Sequence, residues 1–207
     1  MNRYLILLAA AITTDSAVAA NINGCEIRPA ALCIELDLRA ADMHGADLAR
    51  AGFRKSNLSG ANLQGANLLN ANMDMVNLTG SNLEGAVLND ADLKNATIVG
   101  ARLDHAQLNG VRLKSADLTR SDLTDAQLKG ANLSGANLTN AKFRNAQLQR
   151  ADLSGSVMTQ ADFRGANMTG VKLDNATLQG ADLRGAVLDE VDFSKLNTNG
   201  CIGCPKP

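Results

Sequence analysis

The sequence predicts an all-β fold, a straight four-sided solenoid of very short strands about eight coils long. Three observations predict it. From Leu38 to Phe193 a large apolar residue returns at every fifth position without a slip of phase: Leu38, Met43, Leu48, Phe53, Leu58 and onward to Leu183, Leu188 and Phe193. From Ala41 onward a small residue stands two positions before each, as at Ala41, Ala46, Ala51, Ser56 and Ala61, with Val76, Val111, Val171 and Val191 as the largest substitutes. Weaker correlations recur at an interval of twenty, in Gln107, Gln127 and Gln147, in Arg144, Arg164 and Arg184, and in Thr119, Thr139 and Thr159.

A helix cannot use a period of five, because five steps of ~100° turn the apolar position by about 140° and scatter it around the circumference. In an extended segment, residues two apart share a face, so the small residue and the large one after it both point inward. The last residue of each five is often glycine, as at Gly60, Gly65, Gly80 and Gly85, which suits a sharp turn. Each five-residue unit is therefore one short side and one corner. The interval of twenty makes four sides per coil and stacks like residues in vertical columns, the glutamines as an amide ladder.

The pattern is most regular in Ala61-Asn62-Leu63-Gln64-Gly65-Ala66-Asn67-Leu68. These residues resemble the pentapeptide-repeat family, and the resemblance runs from about Leu36 to Lys195. It implies a right-handed quadrilateral β-helix and supports the four-sided count. At ~4.8 Å per coil the prism should be about 38 Å long, without inserted loops.

Composition fits a narrow, repetitive core. Apolar residues make up 45% of the chain but aromatic ones only 2%, with no tryptophan, so a conventional core of large interlocking rings is excluded. All four phenylalanines, Phe53, Phe143, Phe163 and Phe193, fall on the inward large position, and Phe143 and Phe163, one coil apart, should stack. Ser56, Ser81, Ser121 and Ser156 fall on the inward small position, where their hydroxyls should bond to backbone rather than act as nucleophiles.

The ends depart from the repeat. Arg3, the apolar run Tyr4 to Ile12 and the small residues Ala17-Val18-Ala19 form a secretory signal over 1–20, too short in its apolar part to span a bilayer. Residues 21–35 form an expected N-terminal cap with Cys25 and Cys33, 36–195 the solenoid, and 196–207 a C-terminal cap or tail with Cys201 and Cys204. The expected product is exported to the periplasm or beyond. Ile22-Asn23-Gly24-Cys25 weakly resembles a lipidation box and offers the alternative of a lipid anchor on Cys25. Four cysteines in an exported chain favour disulfides. Only the pairs Cys25 with Cys33 and Cys201 with Cys204 are local at both ends, and a bridge between the ends would have to cross the whole prism. Cys201-Ile202-Gly203-Cys204 is also a C-x-x-C motif, but it lacks the following histidine of haem attachment and further zinc ligands nearby.

No constellation of residues points to catalysis, and no cofactor or metal is expected. His105, set one coil from Asp125 with Asp104 and Thr124 beside them, is the best acid-base candidate, yet it lacks an activated nucleophile and a water-excluding cleft. The expected function is a non-catalytic structural or binding scaffold of the bacterial cell envelope, possible as a homodimer, whose partner is a protein or an anionic envelope polymer. The column Arg144, Arg164 and Arg184, beside Lys142, Asp162 and Asp182, is the candidate anion or partner strip. Two alternatives compete with this reading. Some members of the family modulate a type II topoisomerase by DNA mimicry, which needs a strongly acidic rod, whereas this chain has a formal net charge of -1 and no field to mimic or hold a nucleic acid. A thiol oxidoreductase using Cys201 and Cys204 is the other.

Overall fold

A computed structural model describes residues 20–194 and 196–205. The secretory signal read over 1–20 lies outside the described residues, apart from Ala20. The chain winds as a four-sided coil in which nearly every side pairs in parallel with the side twenty residues on, as in Asp42↔Asn62↔Asn82↔Arg102↔Asp122↔Lys142↔Asp162↔Asp182. The paired residue is the one before each inward large position, so each strand is reduced to a single bridge per side.

The backbone bonding of one unit shows why this repeat folds so. The Ala61 N–H closes the preceding turn on Leu58 O at 3.0 Å. The Asn62 N–H reaches one coil back to Ala41 O at 2.9 Å, while those of Leu63 and Gly65 reach one coil forward to Asn82 O at 2.7 Å and Glu84 O at 2.9 Å. The remaining N–H, on Gln64, donates to the side-chain Oδ1 of Asn62 at 3.3 Å. All five donors are met. The frequent Asn or Asp before the inward residue is thus an Asx turn that serves the one amide the sheet cannot reach, as again at Asn57 to Ser59, Asn137 to Thr139 and Asp152 to Ser154.

Each described corner residue has positive φ, as the third position of a type II turn requires. Glycine fills many corners at no steric cost, but Met75, Arg120, Asn140 and others hold φ between 56° and 59° with side chains attached. A left-handed residue with a Cβ costs roughly 1–2 kcal/mol, and glycine's extra freedom in the unfolded chain returns about half of that. Met75→Gly is therefore expected to stabilise the protein by about 0.5 kcal/mol. Gly110→Ala is expected to destabilise it by about 1 kcal/mol, because a Cβ is strained at its φ of 66°, while the Asp90 carboxylate it would meet is free to turn aside. Thermal denaturation of the two variants measures both signs.

The interior is continuous. Leucine, methionine and phenylalanine columns alternate with alanines that are almost all fully buried. Phe143 and Phe163 stack as expected, with ring centroids 4.9 Å apart and an interplanar angle of 10°. Ser81, Ser121 and Ser156 are buried and donate to Leu78 O, Leu118 O and Leu153 O at 2.7–2.8 Å, closing their own turns. Ser56 instead donates to Cys33 O and accepts from the Leu36 N–H at 3.0 Å, fastening the first coil to the second.

The coil extends past both limits read from the sequence. Leu32 already pairs with Gly52, with Ala31 and Cys33 buried in the two inward positions, and the last bridge is Asp182↔Ile202. Cys33, Thr198 and Gly203 occupy large-residue positions without being large, which hid these units from a search for leucine. Residues 196–202 thus continue the winding rather than fold across its end. The N-terminal end is covered by an antiparallel hairpin of β1 (Asn21–Ile22) and β2 (Cys25–Glu26). Its turn, Asn23-Gly24, has φ of 50° and 89°, the positive pair of a type I′ turn. Cys25 is fully buried, and Ile22 and Ile27 pack on the core.

Candidate functional site

The candidate anion strip lies on the face whose interior column is Leu103, Leu123, Phe143, Phe163 and Leu183. Stacked guanidinium groups repel, so the column needs compensation, and the aspartates supply it. Asp162 accepts from Arg164 Nη2 at 2.8 Å and from Arg144 Nε at 2.5 Å. Asp182 accepts from Arg184 Nη2 at 2.6 Å and lies 3.8 Å from Arg164 Nε. The neighbouring Lys142 is held by Asp122 at 3.0 Å. The Asp162 and Asp182 side chains are 17% and 18% exposed, whereas those of the three arginines are 39–59% exposed, so the carboxylates lie beneath guanidinium groups whose outer sides meet solvent. Three guanidinium charges against two carboxylates leave this ladder with a net charge of +1.

Hydrogen bonding from Arg164, joined by Arg144, holds the Asp162 carboxyl well below the usual carboxylate range despite partial burial, and hydrogen bonding from Arg184 lowers that of Asp182. A carboxyl with a depressed folded-state pKa contributes stability that is present above its unfolded value near ~3.9 and lost as pH falls through the folded one. Asp162→Asn is therefore expected to lose stability relative to the parent at about pH 5, with the gap closing towards about pH 2. Parallel thermal melts across that range measure it.

The other sequence candidates do not converge. His105 and Asp125 are both exposed corner residues with φ of 59° and 58°, and no side-chain hydrogen bond or ion pair joins them among the described residues. The Thr124 hydroxyl is taken by Asp122 Oδ1 at 2.6 Å, and Asp104 faces Arg102 at 3.5 Å. His44 Nδ1 lies 2.9 Å from Asp42. The histidines thus stand on convex edges with no enclosed space beside them. Among the described residues, no cluster of three or more His, Cys, Asp or Glu could hold a metal ion, and no helix is long and apolar enough to cross a membrane.

The cysteines of each terminal pair lie within disulfide distance of one another. Cys25–Cys33 has a Cα separation of 4.9 Å and Cys201–Cys204 one of 5.8 Å. The Cys25 sulfur is thereby committed to a disulfide. Cys201 and Cys204 are only partly buried, on the last coil, where Gly203 lies against the backbone of Leu183 and Arg184. A Cβ on Gly203 would stand 2.8 Å from Arg184 N, so the middle of the C-x-x-C is pressed onto the sheet rather than raised at a helix start.

The glutamine column behaves differently from the expected ladder. The backbones of Gln107, Gln127 and Gln147 do stack. Their side chains, however, bond diagonally: Asn89 Nδ2 donates to Gln107 Oε1 at 3.4 Å and Asn109 Nδ2 to Gln127 Oε1 at 3.5 Å. Glutamine reaches past the Asx geometry, so the amides of Asn109 and Lys129 are met instead by Asn89 Oδ1 and Asn109 Oδ1 of the preceding coil, at 2.9 and 3.0 Å. The recurrence of Asn89 and Asn109 at twenty was the signal in the sequence for this second network.

Comparison with known proteins agrees with this architecture. The family model for pentapeptide repeats matches residues 31–70, 71–110, 106–145, 141–180 and 166–202. Among solved structures, the chain is similar to HetL, a pentapeptide repeat protein involved in heterocyst differentiation regulation from the cyanobacterium Nostoc sp. strain PCC 7120. Identity is 31% over 81% of this chain and 89% of HetL, with a TM-score of 0.41. It is also similar to QnrB1, a plasmid-mediated fluoroquinolone resistance protein, at 20% identity over 84% of this chain and 90% of that one, with a TM-score of 0.67. No curated protein matches the chain. With parallel pairing at twenty residues, a left-handed corner every five and a family model matching from residue 31 to residue 202, the chain belongs to the pentapeptide-repeat family and folds as a right-handed quadrilateral β-helix.

Proposed function

We propose that this protein is a non-catalytic scaffold of the bacterial cell envelope, exported and locked by a disulfide at each end, which presents flat solenoid faces to a partner. The observation that carries the reading is the use of the side chains. Inward residues are consumed by packing and by turn hydrogen bonds, and the charges of the arginine ladder are paired with one another along a convex face. Nothing in such an arrangement excludes water from a reacting group. The disulfides support a location where thiols are oxidised. The fold is shared with QnrB1, but at 20% identity that likeness extends to the fold alone.

The arginine ladder is the face proposed for a protein or an anionic envelope polymer, since planar guanidinium forks with exposed outer sides suit phosphate and carboxylate. The test is retention of the secreted full chain on an anionic glycan or lipid matrix, compared with the triple variant Arg144→Gln, Arg164→Gln, Arg184→Gln. The reading expects retention to fall severalfold and to weaken with salt. Unchanged retention with only a lower melting temperature would leave the ladder a structural feature.

A further inference from the structure

The face next to the arginine ladder carries a second feature. Its interior column is Leu108, Leu128 and Leu148, and on its outside lies an open cleft of about 440 Å³ lined by Asn109, Asp125, Gln127, Lys129, Asn145, Gln147 and Gln149. The cleft stands where the diagonal amide network breaks. Asn89 serves the Asn109 amide and Asn109 serves the Lys129 amide, but Lys129 has no acceptor to offer, and among the described residues no bond is made by the Gln149 N–H.

The orientations of the two glutamines follow from their donors. Gln147 Nε2 donates to Asn145 O at 2.9 Å, which turns its Oε1 towards Gln149 Nε2 at 3.0 Å. Gln149 Oε1 is then left shielded from solvent without a partner, the one such side-chain atom among the described residues. Burying an amide oxygen unmet costs on the order of 1–3 kcal/mol. The Lys129 ammonium and the Asp125 carboxylate likewise take part in no ion pair among the described residues, unlike the arginines and aspartates of the adjoining face.

We infer that this cleft binds a neutral polyhydroxylated ligand, a short stretch of uncharged glycan. The lining carries one positive and one negative charge, so it has no net attraction for an ion. It offers an acceptor on the exposed Asp125 carboxylate and donors on Lys129, on the Gln149 backbone N–H and on the second hydrogen of Gln149 Nε2. Vicinal hydroxyls, each both donor and acceptor, satisfy such a mixed set, and two of them can meet one carboxylate. A peptide fits less well. Strand addition needs free backbone groups, and here Gln127 N, Leu128 N and Gly130 N are bonded to Ala106 O, Gln147 O and Gln149 O at 2.7–2.9 Å. No apolar side chain lines the cleft to seat a peptide residue. All four phenylalanines lie on inward positions, so ring stacking on a sugar is absent from this face and the affinity should be weak.

This inference names a partner class for the scaffold reading, and its test separates the two. Amide NMR of the secreted full chain is followed during titration with cellotetraose, with the tetramer of N-acetylglucosamine and with tetra-alanine blocked at both ends. The expected result is that one of the tetrasaccharides shifts the side-chain amides of Asn109, Gln127, Gln147 and Gln149 and the backbone amide of Gln149, half-saturating near ~1 mM. Gln149→Leu should weaken this about tenfold while the melting temperature holds, and Thr119→Ala, on another face, should leave it unchanged. No shift with either sugar at ~20 mM, shifts with the peptide alone, or equal shifts in Gln149→Leu would each overturn the inference. Sugar binding by a chain that the envelope matrix does not retain would count against the scaffold reading and leave the cleft assigned.

Discussion

Phe163→Ala is expected to destabilise the protein by about 3–5 kcal/mol, among the largest effects of any single substitution in the prism. The ring is fully buried and stacks on Phe143 one coil back, and the flanking inward residues, Ala141, Ala161 and Ala181, are too small to collapse into the space. The neighbouring coils are fixed by parallel bridges above and below, so the cavity stays open. Phe143→Ala should cost nearly as much. The double variant should cost less than the sum by about 0.5–1.5 kcal/mol, the share that belongs to the stacked pair. Urea denaturation followed by circular dichroism of the three variants supplies the cycle. A loss below about 1 kcal/mol for Phe163→Ala would mean that the column is not packed as described.

The paired change Cys25→Ala, Cys33→Ala is expected to lower stability by about 2.5 kcal/mol and to change how the molecule associates. The first figure follows from closing a loop with a sequence separation of 8 in the unfolded chain. The second follows from position. Cys25 and Cys33 are both fully buried where the hairpin of β1 and β2 covers the first coil, and without the bridge the hairpin is held by few bonds, among them Ile27 N–H to Ala20 O and Asn23 Nδ2 to Asp37 O. Loss of the cap bares the edge of a parallel sheet and the top of an apolar core, and bare edges recruit other chains. Light scattering should therefore show concentration-dependent association of this variant. Cys201→Ala, Cys204→Ala, at the partly exposed last unit, should cost about 2 kcal/mol or less without that association.

The body of the fold was legible because its signal is redundant. The phase from Leu38 to Phe193 repeats one physical statement, small then large facing inward, and no helix or ordinary strand satisfies it. Where the statement is made by unusual residues it went unread, so Cys33 and Gly203 concealed the first and last units. The Asx turns were visible as Asn and Asp but not as bonds, since their role depends on which amide the neighbouring coils leave unserved. The arginine ladder was readable as a column, together with its counter-charges Asp162 and Asp182. The cleft was not, because it arises from an interruption: Lys129 replaces the asparagine of the two preceding coils, and only the bonding of Gln147 and Gln149 shows what that leaves unmet.

Export and a disulfide at each end, as proposed above, are tested directly by one measurement. The full-length gene product is expressed in a bacterial host, recovered from the periplasm and medium, and analysed intact and after non-reducing digestion by mass spectrometry. The account predicts a chain beginning at Ala20 or Asn21, with Cys25 linked to Cys33 and Cys201 linked to Cys204. A chain that keeps Met1 and four free thiols in the cytoplasm would contradict it, and so would exported protein in which Cys201 and Cys204 remain reduced.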